Sequence, residues 1–121
     1  MGLDIYFWSK KNDDEEVAYF RKHNHLLPYF GYEDDCSELT ITKAQVEDFV
    51  SDCNEVLEHW GKPDFEEVAK AKIPTEFGFF FGHYEYDEYY KQKLEQDLHK
   101  FTNLLTTFDW DTDELVMQCS W

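Results

Sequence analysis

Leu3-Asp4-Ile5-Tyr6-Phe7-Trp8, near the start of the chain, sets Leu3, Ile5 and Phe7 on one side and Asp4, Tyr6 and Trp8 on the other. That period of two marks a half-buried strand. The opposite end of the chain answers it: Leu115, Met117, Cys119 and Trp121 alternate with Val116, Gln118 and Ser120, so Leu115–Trp121 reads as a closing strand. Two strands do not hold together alone in water. The economical arrangement pairs the N- and C-terminal strands into a small sheet and packs three amphipathic helices on it, an α+β fold in a single domain, 1–121.

The helices follow from spacing and caps. Thr42 and Gln45 form a Thr-x-x-Gln capping box, and Val46, Phe49, Val50, Cys53, Val56, Leu57 and Trp60 recur at helical intervals until Gly61 and Pro63 stop them. A short helix over Asp64–Lys70 is expected, capped by Asp64 with Glu67 three residues on. A long helix from about Glu85 to Phe108 carries Tyr86, Tyr90, Leu94, Leu98, Phe101, Leu105 and Phe108 as a stripe. Between the first strand and the middle helix, Lys10–Asp13 reads as a turn. The spacing of Asn12 with Glu15, or Asp13 with Glu16, predicts a helix from about Asp14 to His23 with Val17 and Phe20 inward. Pro28 limits that helix, and Gly31–Glu38 reads as a polar loop. Phe79–Phe81, flanked by Gly78 and Gly82, reads as a buried extended segment or tight loop, with room for a third strand.

Composition narrows the function classes. The chain has 121 residues, with 27 Asp+Glu against 11 Lys+Arg, a formal charge of −16 and a pI near 4.4. Its 42% hydrophobic and 19% aromatic residues supply a core large enough to offset that self-repulsion. A transmembrane run of about 18 apolar residues is missing, as is a basic-then-apolar leader. Three cysteines without CxxC spacing read as reduced thiols. Membrane, disulfide-scaffold and collagen-like classes are therefore set aside. The charge disfavours direct binding to nucleic-acid phosphates, and it favours a monomer or a weak homo-oligomer.

Chemistry-bearing patterns are weak. His23 and His25, with Asp34, Asp35 or Cys36, have the residue types for zinc, but H-x-H gathers both rings only in an extended chain. A pair of histidines at a helix C-terminus is the expectation. Asp109, Asp111 and Asp113 imitate a calcium loop, which then fails at Glu114 and Ser120, where Gly and Glu are needed. A solvated turn fits better. Cys53 and Cys119 fall on apolar positions, and the acids before Cys36 blunt it as a nucleophile. Gly78–Gly82 lacks a phosphate-loop pattern. No catalytic residue, cofactor or metal is expected.

What stands out is Glu85-Tyr86-Asp87-Glu88-Tyr89-Tyr90, carboxylates alternating with phenols at a helix start. Acids rimmed by Tyr suit recognition of a basic protein surface, and such a face can also mimic nucleic-acid charge on an enzyme. The same charge also serves solubility. The expected binding residues are Glu85, Asp87, Glu88 and Tyr89, with Asp109, Asp111 and Asp113 as a second patch. The rival class is a small-ligand or metal-dependent enzyme with its site near Asp4, Tyr6 and His83.

Met1-Gly2-Leu3-Asp4-Ile5-Tyr6, Gly78-Phe79-Phe80-Phe81-Gly82 before Tyr86-Asp87-Glu88-Tyr89-Tyr90, and the final Ser120-Trp121 carry a resemblance. In these three segments the chain resembles a group of small uncharacterised proteins of bacteriophages, prophages and bacterial genomes. Some of those are labelled as a glycolytic kinase. This chain has no nucleotide loop and is too short for that two-domain enzyme, so the label does not transfer. The resemblance implies a mobile-element protein in a bacterial cytoplasm and brings no catalytic residue with it.

Overall fold

The computed structural model describes residues 2–11, 15–33, 37–76 and 85–121. The expected Phe79–Phe81 segment, His83, Cys36 and its neighbours Asp34 and Asp35 lie outside these residues. Strand β1 (Asp4–Ser9) is central, β2 (Glu15–Arg21) and β4 (Leu115–Ser120) flank it, and β3 (Leu39–Ile41) adds to β4. The order is β2-β1-β4-β3, antiparallel throughout. Asp4 faces Ser120 and Phe7 faces Met117, so the two chain ends form the middle of the sheet.

Among the described residues, four helices complete an α+β architecture: α1 (Leu26–Phe30), α2 (Lys43–Glu58), α3 (Phe65–Lys72) and α4 (Glu88–Thr107). Leu3, Ile5 and Phe7 are fully buried, as the alternation in the sequence predicts. Phe101 of α4 is the hub of the core. Its ring lies 5.3 Å from Phe7, 5.2 Å from Phe20, 5.9 Å from Phe30 and 5.1 Å from Phe49, joining the sheet, α1 and α2.

The helix expected over Asp14–His23 is instead β2. Val17 and Phe20 sit three apart, which suits a helix. But Ala18 and Phe20 face Phe7 and Ile5, while Tyr19 lies opposite Tyr6 on the other side. Pairing with β1 outweighs the local helical spacing, because β1 would otherwise present unpaired backbone on one side. A bulge between Phe7 and Trp8 absorbs the extra residue. The exposed Glu15 and Glu16 belong to β2, the outermost strand of the sheet among the described residues, where charge discourages edge-to-edge pairing.

The capping box of α2 forms as expected: Gln45 N–H donates to Thr42 Oγ1 at 3.2 Å, and Thr42 N–H donates to Gln45 Oε1 at 2.8 Å. The cap of α3 does not. Asp64 makes no side-chain cap bond and lies instead 3.9 Å from His59 Nε2. Helix α4 starts at Glu88, later than the sequence suggests, because Asp87 accepts the N–H groups of Tyr89 (3.1 Å) and Tyr90 (3.4 Å) and fixes the N-cap there.

Candidate functional site

His23-Asn24-His25 links β2 to α1. The chain leaves β2 through Lys22, whose φ of 61° lies in the left-handed region, a conformation costing roughly 1–2 kcal/mol for a side-chain-bearing residue. Lys22 is held there by its N–H on the Leu3 carbonyl (2.8 Å), and its own carbonyl accepts from Lys93 Nζ at 3.1 Å. The turn sends both imidazoles into the interior. Asn24 is buried too, and its Oδ1 accepts the Glu76 N–H at 3.0 Å. The pair therefore does not end a helix, as the sequence reading had it.

Asp97, in the middle of α4, receives both rings. His23 Nδ1 lies 2.6 Å from Asp97 Oδ1, and His25 Nε2 bonds to Oδ2. All three side chains are enclosed: Asp97 is 0%, His25 1% and His23 5% exposed. A carboxylate only accepts, so each ring donates an N–H, His23 from Nδ1 and His25 from Nε2. Burial alone would raise the Asp97 carboxyl, but the two imidazoles outweigh it and hold the group ionised below its ordinary range. Burial lowers the His25 imidazole against the pull of Asp97, favouring the neutral ring.

Aromatic rings wall the triad. Phe20 lies 5.2 Å from the His23 ring, and Phe49 and Tyr90 lie 6.5 Å and 5.9 Å from the His25 ring. Sequence reasoning paired the histidines with Asp34, Asp35 or Cys36, which lie outside the described residues, and did not single out Asp97. Cys53 of α2 is buried, with its thiol pushed up by burial. It is a core residue rather than a nucleophile.

The expected recognition residues lie elsewhere. Glu85 and Asp87 line an open groove of about 430 Å³ with Glu66, Lys70, Thr75 and Tyr86. Glu85 and Glu88 are exposed, and Tyr89 is 64% exposed. Asp87 caps α4, as described above. In the second patch, Asp109 accepts from Thr112 Oγ1 at 2.5 Å and from the Asp111 N–H at 3.2 Å. Asp113 takes the Ser9 hydroxyl and the N–H groups of Lys11 (2.8 Å) and Glu114 (2.7 Å). Asp113 ties the end of β1 to the turn before β4, Asp109 closes that turn and lies 3.8 Å from Lys11 Nζ, and Asp111 is exposed beside them.

Asp4 accepts from Tyr19 Oη at 2.5 Å and pairs with Arg21 at 3.0 Å. Tyr6 stacks on Trp8 with ring centroids at 5.5 Å and meets the Tyr19 ring at a tilt, at 5.3 Å. Neither residue lines the groove at Glu85 and Asp87, nor those beside Leu98 and beside Trp110. No helix among them is long and apolar enough to cross a membrane. No protein-family model, curated protein or solved structure matches the chain.

Proposed function

We propose that this is a non-enzymatic, acidic binding protein of phage or mobile-element type, working in a bacterial cytoplasm. In this reading it engages a basic surface on a host or defence protein through the approach to α4. The observation that carries it is Tyr89, 64% exposed and directly after the exposed Glu88, in the same short stretch as the exposed Glu85. Tyr supplies contact area at low entropic cost, while a chain of −16 draws a basic partner in from a distance. Asp109 and Asp113 contribute less here, since their oxygens are engaged in the turn. Where the partner normally handles nucleic acid, the carboxylates stand in for phosphates.

The test is a tagged pull-down from bacterial lysate, washed at low and then high salt. The expected result is one stoichiometric basic partner, shed at high salt and displaced by added DNA if charge mimicry is the mode. The variant Glu85→Lys/Glu88→Lys/Tyr89→Ala leaves the Asp87 cap intact and should lose that partner. Equal recovery by the variant, or no partner at either salt, overturns the reading.

A further inference from the structure

We propose that His23 Nδ1, His25 Nε2 and a carboxylate oxygen of Asp97 form a binding site for one zinc-class divalent cation. The three donor atoms lie within 4.8 Å of one another, and all three residues are buried. Two imidazoles and one carboxylate are a borderline donor set, suited to zinc and its transition-metal neighbours and ill-suited to magnesium or calcium, which take oxygen alone.

The scaffold supports the assignment. Asp97 projects from the interior of a 20-residue helix, so its position is rigid. The histidines come from a turn pinned at Lys22, Asn24 and the start of α1. Around a tetrahedral ion with bonds of about 2.0 Å, neighbouring donor atoms stand roughly 3.3 Å apart. The His23–Asp97 spacing of 2.6 Å therefore has to open by well under 1 Å, while the two rings draw together. Each imidazole then carries its proton on the far nitrogen and offers the inner lone pair. The aromatic wall keeps the local dielectric low and strengthens the attraction between the carboxylate and the ion. Lys93 is the opposing charge. Half-buried, with its ammonium on the Lys22 carbonyl, it is a like charge that opposes the cation. Protein atoms fill three of the four tetrahedral positions.

The test uses the full chain, stripped with a chelator and titrated with Zn²⁺ and, separately, Co²⁺. The expected result is one equivalent bound, the visible bands of four-coordinate Co²⁺, displacement of Co²⁺ by Zn²⁺ but not by millimolar Mg²⁺ or Ca²⁺, and a Tm that rises with free zinc. Asp97→Asn and His25→Gln should each lose the Co²⁺ bands. Either variant that keeps its near-ultraviolet circular dichroism separates lost binding from lost folding. A folded wild-type chain with no bands and no Tm rise overturns the proposal. So do bands that survive both substitutions, which would put the metal on surface carboxylates.

Discussion

Replacing Asp97 by leucine in chelator-treated protein isolates the one buried carboxylate of α4 and asks what it is worth without metal. Leucine keeps the branched skeleton, with methyls for oxygens, but accepts nothing, so His23 Nδ1 and His25 Nε2 lose their acceptor inside the core. A buried donor left without a partner costs about 1–3 kcal/mol, and two such donors cost about 2–6 kcal/mol. The gain from burying leucine in place of a charge offsets part of this, though removing one member of a buried cluster is usually the costly change. Asp97→Asn behaves differently. Its amide oxygen accepts from one ring while its NH₂ donates to the other, once that imidazole changes tautomer. A cost of about 1–2 kcal/mol follows. Replacing all three residues with apolar side chains of matching size should recover most of the loss. Urea unfolding followed by far-ultraviolet circular dichroism reads the order directly. With a slope of about 1–3 kcal/mol per molar, the leucine variant should shift the midpoint by roughly 1–3 M. If Asp97→Leu falls within about 1 kcal/mol of the wild type, or Asn costs as much as Leu, Asp97 does not serve both rings and the account of the triad is wrong.

Phe101→Ala should cost about 3–5 kcal/mol, because one ring touches Phe7, Phe20, Phe30 and Phe49; a thermal melt that hardly moves would show that the hub repacks freely. Stability should also fall on the alkaline side. Burial raises the hydroxyls of Tyr29 and Tyr90, which donate to Asp52 and to the Ile73 carbonyl. Their contribution is complete below the unfolded value near about pH 10 and is lost above it. On the acid side, Asp4 and Asp109 are held low chiefly by hydroxyl bonds from Tyr19 and Thr112, and Asp113 is held low against the opposing effect of burial. Their contribution is present above about pH 4 and fades as the pH falls through the depressed values. A series of urea midpoints against pH checks both limbs, and a flat alkaline limb would contradict the tyrosine argument.

Much of the fold was legible, for reasons that differ between elements. The period of two in β1 survives in the structure because one face is sealed against the helices, whereas in β4 Leu115, Val116 and Met117 are all buried and the expected alternation shows only from Met117 onward. The cap of α2 was legible because Thr42 and Gln45 satisfy each other locally. Strand β2 was not. Its acids and its Val17–Phe20 spacing match a helix start, and only the need of β1 for a second partner decides against it. That need is a tertiary fact with no local trace. The cap at Asp64 failed similarly, since the carboxylate turned toward His59 across the loop.

The triad was half visible. His23 and His25 stood out by type, but the assumed helix put them at a solvent-facing end and hid their direction. Asp97 was missed through arithmetic on α4. Stepping Tyr86, Tyr90, Leu94, Leu98 moves four residues each time, and each step overshoots a 3.6-residue turn by about 40°. Three such steps leave the core face. The buried positions are Tyr90, Leu94, Asp97, Phe101, Leu104 and Phe108, alternating steps of four and three as a straight helix requires. On that corrected stripe Asp97 is the one charged residue. A carboxylate on the core side of a helix carries its own demand for donors, and two adjoining histidines of unassigned direction are the groups able to meet it. That demand was the available signal, and it joins His23, His25 and Asp97 before any contact is measured.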